Sequence, residues 1–277
     1  MNIRIGFIGT GNMGKAMMSA MVMTGDIPAN SVRAYDIDKV RARDICEELG
    51  TIPVDSPGEV VEASDIIFLC VKPDAAGNSL QLIKKDWIPE KILVSIVVGI
   101  PMELYHSILG QDARIVRTMP NTPATVGEGM TLYCNSKNIP SEDMERIISL
   151  LSCLGRVEAL EEKLMAEVTA LTSSSPAYVF MMIEAMADAA VLSGIKREQA
   201  YRLAAQAVLG AAEMVLALEE HPGKLKDCVC SPGGTTIEAV RVLERCGFRS
   251  ALIEAMTACT DKAKAIGEQY RNIDMKP

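Results

Sequence analysis

Buried-strand patterns recur through the first 160 residues of this chain and then stop, and this is the strongest constraint on its fold. Continuous apolar runs are typical of parallel strands that are covered on both faces. Such runs occupy residues 2–8, 31–37, 65–71, 92–98 and 113–119. The other predicted elements are helices near 75–86, 101–109 and 141–154, a strand at 130–134 and a short strand near Val157. The alternation predicts an α/β domain with a predominantly parallel sheet.

The first strand runs into a GxGxxG loop, and an amphipathic helix follows as far as about Thr24. In this strand–turn–helix setting the motif is the fingerprint of a Rossmann-type dinucleotide-binding domain. Gly9 allows the tight turn, Gly11 lets a pyrophosphate approach the backbone, and Gly14 lets helix and strand pack closely. The predicted cofactor-binding residues of this loop are Gly9, Thr10, Gly11, Asn12, Met13 and Gly14.

Asp36 is the last polar residue of the second predicted strand and follows the glycine loop at the expected interval. An acidic residue about 20 positions after the loop accepts a hydrogen bond from the ribose 2′-hydroxyl of NAD. We therefore predict that Asp36 contacts the cofactor.

The later strands also end in punctuated loops, and such loops line the ligand crevice of a doubly wound sheet. Lys72-Pro73 follows one strand, Gly99 the next and Asn121 a third. Loop positions are enriched both in turn formers and in functional residues. Lys72 is thus either a solvated lysine or a ligand contact, and Asn121 either a turn former or a ligand contact.

Beyond residue 160 the pattern predicts helices only, rich in Ala and Met. The segment Gln199–Leu218 carries a stripe of small and apolar residues, which allows close packing between helices. The stripe suggests a second subunit, although a compact monomeric bundle would have the same composition. We place the domain junction within Glu158–Lys163, which gives a Rossmann-like domain of residues 1–160 and an all-α domain of residues 161–277.

One glycine-containing loop, CSPGGTT at residues 230–236, interrupts the predicted helices of the all-α domain. Thr235 and Glu238 have the spacing of a capping box, so we predict a helix that starts here and ends near Gly247. First-turn N–H groups lack helical partners, and the positive end of the helix dipole favours an anion. The loop is either an anion site or an ordinary capped helix start.

Charge and composition argue against several functions. A net charge of -8 without a Lys/Arg cluster argues against binding to nucleic acid. Eight cysteines without a CxxC spacing and only two histidines argue against a metal site. Thiols without an export signal indicate a reducing compartment, and no apolar run reaches the length of a bilayer span. We expect a cytoplasmic protein without a membrane partner.

Five motifs spread along the chain form one recognisable set. They are GFIGTGNMGKAM (6–17), LCVKP (69–73), SIVVGI (95–100), RIVRTMPNTPATVGEGMT (114–131) and HPGKLKDCVCSPGGTTIEAVRVLERCGFRSALIEA (221–255). This set resembles the pyrroline-5-carboxylate reductase family, from about residue 3 to residue 270, and the SPGGTTI block is its most specific part.

The resemblance implies reduction of 1-pyrroline-5-carboxylate to L-proline, the last step of proline biosynthesis, by hydride transfer from NADPH or NADH to the C=N bond. It implies that backbone amides at Gly233–Thr236 hold the substrate carboxylate, that Thr236 bonds near the ring nitrogen, and that Glu162 or Glu219 lies near the substrate. It also implies homodimers that often build rings. The residues assigned in this way are Ser231, Gly233, Gly234, Thr235 and Thr236 for substrate, Thr236 and Glu162 for catalysis, and Val71, Lys72, Pro73, Val98 and Asn121 for the cofactor.

Three features depart from the family pattern. Ser173 and Ser175 stand where relatives commonly carry glycine, and Cys228 stands where they often carry asparagine. Asp36 would repel the 2′-phosphate of NADPH unless Arg41 and Arg43, which follow it, compensate. For the serines we expect ordinary negative φ angles, with Ser175 as the N-cap of a helix that begins at Pro176.

Other functions remain as alternatives. A reductase of β-hydroxy acids would use a lysine on the long helix after the junction, yet the chain has none between Lys163 and Lys196. A related imine reductase is a further alternative. A degenerate paralogue would bind or sense a dinucleotide without turnover, for which the two lost glycines are the support.

Overall fold

An eight-stranded sheet organises the first part of the chain. The structure is a computed structural model that describes residues 3–24 and 27–271, with side chains as far as Glu268. The strands are β1 (Ile5–Ile8), β2 (Val32–Tyr35), β3 (Ile52–Pro53), β4 (Ile66–Leu69), β5 (Ile92–Ser95), β6 (Arg114–Met119), β7 (Gly129–Asn135) and β8 (Gly155–Ala159). They lie in the order β3-β2-β1-β4-β5-β6-β7-β8, and only β6 and β7 pair antiparallel. The predicted Rossmann-type, predominantly parallel sheet is confirmed.

Six α-helices connect these strands. They are α1 (Asn12–Met23), α2 (Lys39–Leu49), α3 (Pro57–Ala63), α4 (Pro73–Ile83), α5 (Met102–Leu109) and α6 (Ser141–Ser152). The sequence patterns did not predict β3, α2 or α3. α2 buries only Ala42, Ile45 and Cys46, so its apolar periodicity is weak. α3 does carry a visible start signal, because the Ser56 hydroxyl accepts from the Glu59 N–H at 3.2 Å.

Both faces of the sheet are buried, which explains the continuous apolar runs. On one face Phe7 of β1 and Phe68 of β4 stack with ring centroids 4.9 Å apart, in a cluster that includes Met17 of α1. On the other face Leu69 of β4 packs in a cluster with Tyr105 of α5. Burial of each such side chain contributes about 1.5–3 kcal/mol to the stability of the folded protein. The sheet is therefore a firm base for the loops at its carboxyl edge.

The described residues divide into two compact units. One contains the residues up to Ser173 and those from Thr260 onwards, and the other is Ser174–Cys259. The later helices are α7 (Ser175–Leu192), α8 (Arg197–Leu218), α9 (Pro222–Val229), α10 (Thr235–Arg245) and α11 (Phe248–Arg271). After Ala159 the described part of the chain contains no strand, as predicted. The division at 160/161 stays a prediction, and its residues 1, 2, 25, 26 and 272–277 lie outside the described ones.

Large apolar side chains of α7 and α8 are exposed in the single chain. They include Phe180, Met181, Leu192, Leu203, Leu209, Leu216 and Leu218. The helical stretches Thr169–Leu192 and Arg197–Leu218 are also long and apolar enough to cross a membrane, judged by length and composition alone. The expectation that no segment reaches that length is therefore wrong. Within the described chain these apolar faces have no cover.

Candidate functional site

The loop after β1 has the shape that a pyrophosphate requires. Gly9 has a φ of +102°, and a Cβ there would lie 2.5 Å from the Cys70 carbonyl oxygen. A Cβ on Gly14 would lie 2.3 Å from the Gly9 oxygen. A Cβ on Gly11, in contrast, would meet nothing within 4 Å, and Gly11 is the N-cap of α1 without a side-chain hydrogen bond. The loop thus combines open space with the N–H groups of a helix start.

Asp36 lies directly after β2 and is almost fully buried. Its Oδ2 accepts from the Thr10 N–H at 2.7 Å and from the Thr10 hydroxyl at 3.1 Å. Its Oδ1 accepts from the Asp38 N–H at 3.0 Å and from the Arg41 guanidinium at 2.7 Å. Burial raises the pKa of Asp36, but these hydrogen bonds outweigh burial and hold the pKa below its usual value.

Four hydrogen bonds fill the acceptor sites of one carboxylate. Asp36 can accept from a ribose hydroxyl only by giving up one of them, and the exposed Arg41 is the partner that can leave. The sequence named Arg41 as a compensating charge, and the structure adds that this charge is already paired with Asp36. The cofactor role of Asp36 stays a prediction.

The next predicted cofactor residues surround the start of α4 and the end of β5. Lys72 is the N-cap of α4 without a side-chain capping bond, and Pro73 opens the helix. Val98 is 40% exposed, and Gly99 beside it has a φ of +84°. Val71 follows β4 in the same strand-end loop as Lys72. Each of these residues emerges at the carboxyl edge of the sheet, as predicted.

A crevice of about 520 Å³ opens beside the ends of β5 and β6 within the first unit. Its walls are Val97, Val98, Gly99, Pro101, Glu103, Arg117, Thr118, Met119, Glu162, Lys163, Met165, Ala166, Glu167, Thr169, Ala263, Lys264, Gly267 and Glu268. Predicted cofactor residue Val98 and predicted catalytic residue Glu162 thus share one crevice. In doubly wound sheets ligands bind outside the carboxyl ends of the strands, as this crevice does.

Glu162 is paired inside this crevice. Its Oε1 accepts from the largely buried Arg117 guanidinium, in an ion pair, and from the Met102 N–H at 2.6 Å. The second bond satisfies a first-turn amide of α5. Arg117 was not predicted from the sequence, because the pair joins residues far apart along the chain. Glu162 therefore ties the crevice wall to β6 and α5.

Near this pair, Tyr105 is fully buried. The Tyr105 hydroxyl lies 2.7 Å from the Ser95 hydroxyl. Burial raises the pKa of Tyr105 to about 12, so its phenol stays protonated at neutral pH.

The CSPGGTT loop lies in the second unit. Gly233 has a φ of +68°, and Gly234 is the N-cap of α10, which begins at Thr235. The predicted capping box is wrong, because Gly234 takes the capping position and Glu238 forms a two-bond pair with Arg241, at 2.6 and 2.9 Å. α10 has no side-chain cap, so its first amides remain available to an anion.

The other substrate residues lie in the same loop. The Ser231 carbonyl accepts from the Gly234 N–H at 3.0 Å, and Thr235 and Thr236 form the first turn of α10. Gly247 follows α10 with a φ of +73°, so the predicted helix end is confirmed. The structure therefore brings Ser231, Gly233, Gly234, Thr235 and Thr236 together as predicted, while their binding of substrate stays a prediction.

Known families match both halves of the chain. Residues 4–99 match the family described as NADP oxidoreductase, coenzyme F420-dependent. Residues 162–266 match the family described as pyrroline-5-carboxylate reductase dimerisation. The chain is 45% identical to the pyrroline-5-carboxylate reductase of Escherichia coli, over 97% of this chain and 100% of that protein. This chain belongs to the pyrroline-5-carboxylate reductase family.

Other reductases of this family show the same extent of similarity. The enzyme of Methanosarcina acetivorans is 39% identical over 97% of this chain and 99% of its own length. A crystal structure of the Plasmodium falciparum reductase with NADP bound has a TM-score of 0.87 and 34% identity, covering 96% of this chain and 98% of that one. The chain is an oxidoreductase of an NAD(P)-dependent family, and the alternative functions are not favoured.

Dimerisation accounts for the exposed helices. The dimerisation match spans α7 and α8 completely. Apolar faces that lack cover in one chain are typical of obligate self-association, in which a second copy buries them. The expected self-association is thus supported, and it explains why two helices have the composition of membrane spans.

The departures from the reductase pattern have structural outcomes. The segment Thr169–Ser173 is a π-helix, and α7 begins at Ser175 with Ser174 as its N-cap, so the expected cap at Ser175 is wrong. The expected ordinary φ angles are confirmed, since Glu219 is the only described non-glycine residue with positive φ, at 51°. Glu219 ends α8 in the left-handed conformation, which costs about 1–2 kcal/mol in a residue with a Cβ. Cys228 is exposed.

Proposed function

We propose that this chain reduces 1-pyrroline-5-carboxylate to L-proline with NADPH or NADH. The observation that carries the proposal is the presence of two helix starts without a side-chain cap, one after Gly11 and one after Gly234, in a chain similar to pyrroline-5-carboxylate reductases over 97% of its length. Each start offers amides to an anion, as a dinucleotide pyrophosphate and a substrate carboxylate require.

The cofactor fits the first unit. A Cβ on Gly11 would meet nothing within 4 Å, which supports a pyrophosphate position at this loop, and Val71, Lys72, Pro73 and Val98 lie along the carboxyl edge where the rest of a dinucleotide would run. The nicotinamide supplies a hydride to the substrate carbon of the C=N bond. The chain's own contribution is binding and orientation, which can account for several kcal/mol of barrier reduction.

The substrate assignments rest on the loop before α10 and on two acidic residues. We assign the carboxylate to the amides of Gly233–Thr236, with Ser231 shaping the loop, and the ring nitrogen to the Thr236 hydroxyl. A hydroxyl can donate or accept, so it suits either protonation state of that nitrogen. Glu162 and Glu219 are the acidic candidates near the substrate. The pairing of Glu162 with Arg117 supports an electrostatic role for Glu162 rather than proton donation.

The assembly we propose is a homodimer through the helical domain of residues 161–277, with rings of dimers as a further step. The protein works in the cytoplasm as a soluble enzyme. The exposed apolar side chains of α7 and α8 support the dimer.

The direct test is turnover by the purified full-length protein. Addition of pyrroline-5-carboxylate should remove the absorbance of NADPH or NADH, with L-proline as the product by mass spectrometry. A β-hydroxy acid with the oxidised cofactor is the control reaction and should give no change. If the protein binds the cofactor but oxidises neither NADPH nor NADH in the presence of pyrroline-5-carboxylate, the result would support the sensing paralogue instead.

A further inference from the structure

Asn121 joins three segments of the first unit through the two ends of its side-chain amide. It follows β6 and is only 9% exposed. Its Oδ1 accepts from the Met130 N–H of β7 at 2.9 Å. Its Nδ2 donates to the Thr172 carbonyl oxygen at 3.0 Å. Both polar ends of Asn121 are therefore engaged within the protein rather than turned to a ligand.

The Thr172 carbonyl needs an outside donor because of Pro176. In a continuous α-helix the carbonyl of residue 172 accepts from the N–H of residue 176. Proline has no N–H, and its ring clashes with the carbonyl four residues earlier. The chain instead forms the π-helix Thr169–Ser173 before α7 begins. Asn121 supplies the donor that Pro176 cannot.

The same π-helix is part of the crevice wall. Thr169 lines the crevice together with Met165. The Thr169 hydroxyl donates to the Met165 carbonyl at 3.0 Å and lies 3.5 Å from the Met119 sulfur. Met119 and Met165 share a small buried cluster with Leu132. Methionine contacts are adaptable and fix position poorly, whereas a hydrogen bond from a buried amide is directional.

We propose that Asn121 is a positioning residue of the reductase: it replaces the missing amide of Pro176, holds the Thr169–Ser173 π-helix, and so fixes the crevice wall beside the reacting groups. π-helices are rare and are frequently found at functional sites. The competing assignment makes Asn121 a cofactor contact. The effect on catalysis rests on the proposed function. The brace, meaning the hydrogen bond by which Asn121 holds the Thr169–Ser173 π-helix, does not.

Asn121→Asp is the sharpest variant. It has the same shape and keeps an acceptor for the Met130 N–H, but it sets an oxygen against the Thr172 carbonyl. We expect kcat/KM for pyrroline-5-carboxylate to fall about tenfold or more, with the Kd of NADPH, from its fluorescence, unchanged. Asn138→Asp is the matched control, because Asn138 donates to the Asp112 carbonyl at 2.7 Å and lies outside the crevice lining. The control should keep wild-type kinetics.

Pro176→Ala provides a rescue. In that background the new amide at position 176 can donate to the Thr172 carbonyl, so Asn121→Asp should lose much less activity than it does alone. If Asn121→Asp lowers kcat/KM equally with and without Pro176→Ala, the proposal that Asn121 acts through the Thr172 carbonyl is wrong. If Asn121→Asp does not fold, Asn121→Ser, which is neutral but too short to bridge both partners, takes its place in the same comparison.

Two further outcomes contradict the proposal. A raised NADPH Kd with unchanged kcat at saturating cofactor would make Asn121 a cofactor contact. A lowered Tm with unchanged kcat and KM would make its role purely structural. Amide hydrogen exchange of residues 169–173 tests the brace without turnover, and it should accelerate in Asn121→Asp but not when Pro176→Ala is also present. If wild-type protein shows no turnover, the proposed function fails, and the exchange experiment still decides the brace.

Discussion

Two glycine loops each precede a helix in this chain, but their glycines serve different physical needs. In the loop after β1, a Cβ on Gly9 or Gly14 would lie within 2.5 Å of a backbone oxygen. In the loop before α10, Gly233 has a φ of +68° and a Cβ there would meet nothing within 4 Å. Fixed backbone atoms restrict Gly9 and Gly14 in the first loop. In the second, Gly233 is restricted by its backbone conformation alone, and a Cβ on Gly234 would lie 2.3 Å from the Ser231 side-chain oxygen. Substitution of Gly14 should therefore lower stability, whereas substitution of Gly233 should mainly weaken binding.

The two loops also differ in how well the surrounding elements are buried within one chain. The first loop rests on a sheet whose both faces are buried by the chain itself. The second belongs to helices whose large apolar side chains are exposed in one chain. The Rossmann-type unit is thus complete by itself, whereas the helical unit depends on a second copy for its core.

The largest effect should come from Gly14→Ala. The new Cβ would lie 2.3 Å from the Gly9 oxygen, and backbone atoms cannot move aside cheaply. We expect a loss of about 1–3 kcal/mol of stability, as for other overpacked positions, together with loss of cofactor binding. Thermal unfolding and NADPH titration measure the two effects. Wild-type stability in Gly14→Ala would show that packing does not shape this loop.

Gly11→Ala is the matched control within the same loop. Its Cβ would meet no protein atom within 4 Å, so the Tm should stay near that of wild type. The methyl group would instead occupy the space that a pyrophosphate needs, so the Kd of NADPH should rise. Equal Tm losses in Gly11→Ala and Gly14→Ala would remove the distinction between them.

Gly233→Ala should act through conformation. A residue with a Cβ in the left-handed region costs about 1–2 kcal/mol, so the loop would relax away from its present shape. We expect the KM for pyrroline-5-carboxylate to rise about tenfold, with the Kd of NADPH unchanged. A changed cofactor Kd with an unchanged KM would mean that this loop does not hold the substrate carboxylate.

The sequence patterns predicted the central strands and both glycine loops, because local signals specify them. The run IGFI of β1 is apolar throughout since both of its faces are covered. The antiparallel direction of β7 had no such signal, because an apolar run does not encode strand direction. α2 was missed since it buries only three side chains.

The polar contacts of the site were harder to predict, because they join distant residues. Glu162 was named, but its partner Arg117 lies on β6, 45 residues earlier in the chain. The bond from Asn121 to the Thr172 carbonyl was not predicted either, because the two residues lie 51 positions apart. The spacing of Thr235 and Glu238 was misread as a cap, because Glu238 had a better partner in Arg241.

Thr236→Ala should have an effect about as large as that of Gly233→Ala, but through the loss of one hydrogen bond. It removes one hydroxyl from the first turn of α10 and leaves the backbone amides in place. One hydrogen bond is worth about 1–1.5 kcal/mol, so kcat/KM should fall about tenfold, with the Kd of NADPH unchanged. Thr235→Ala, one residue earlier, is the control. If both variants lose activity equally, the assignment of the ring nitrogen to Thr236 is wrong.

The smallest effect should be a change in cofactor preference in Asp36→Ser. Removal of this carboxylate takes away a negative charge next to the predicted ribose position and releases Arg41, which now pairs with Asp36 at 2.7 Å. Both changes favour the 2′-phosphate of NADPH. Arg41 is partly exposed, so the gain is limited to about 1 kcal/mol, and the ratio of kcat/KM for NADPH to that for NADH should rise about fivefold.

Arg41→Ala separates the two contributions to this shift. Alone, it leaves the Asp36 charge without its cation, so preference should move towards NADH. In combination with Asp36→Ser it should cancel part of the gain, because the released guanidinium is then missing. A wild-type enzyme that already prefers NADPH strongly and loses that preference in Asp36→Ser would show that Asp36 does not lie beside the ribose. Asp36 would then serve only to hold Thr10 and Arg41 in place.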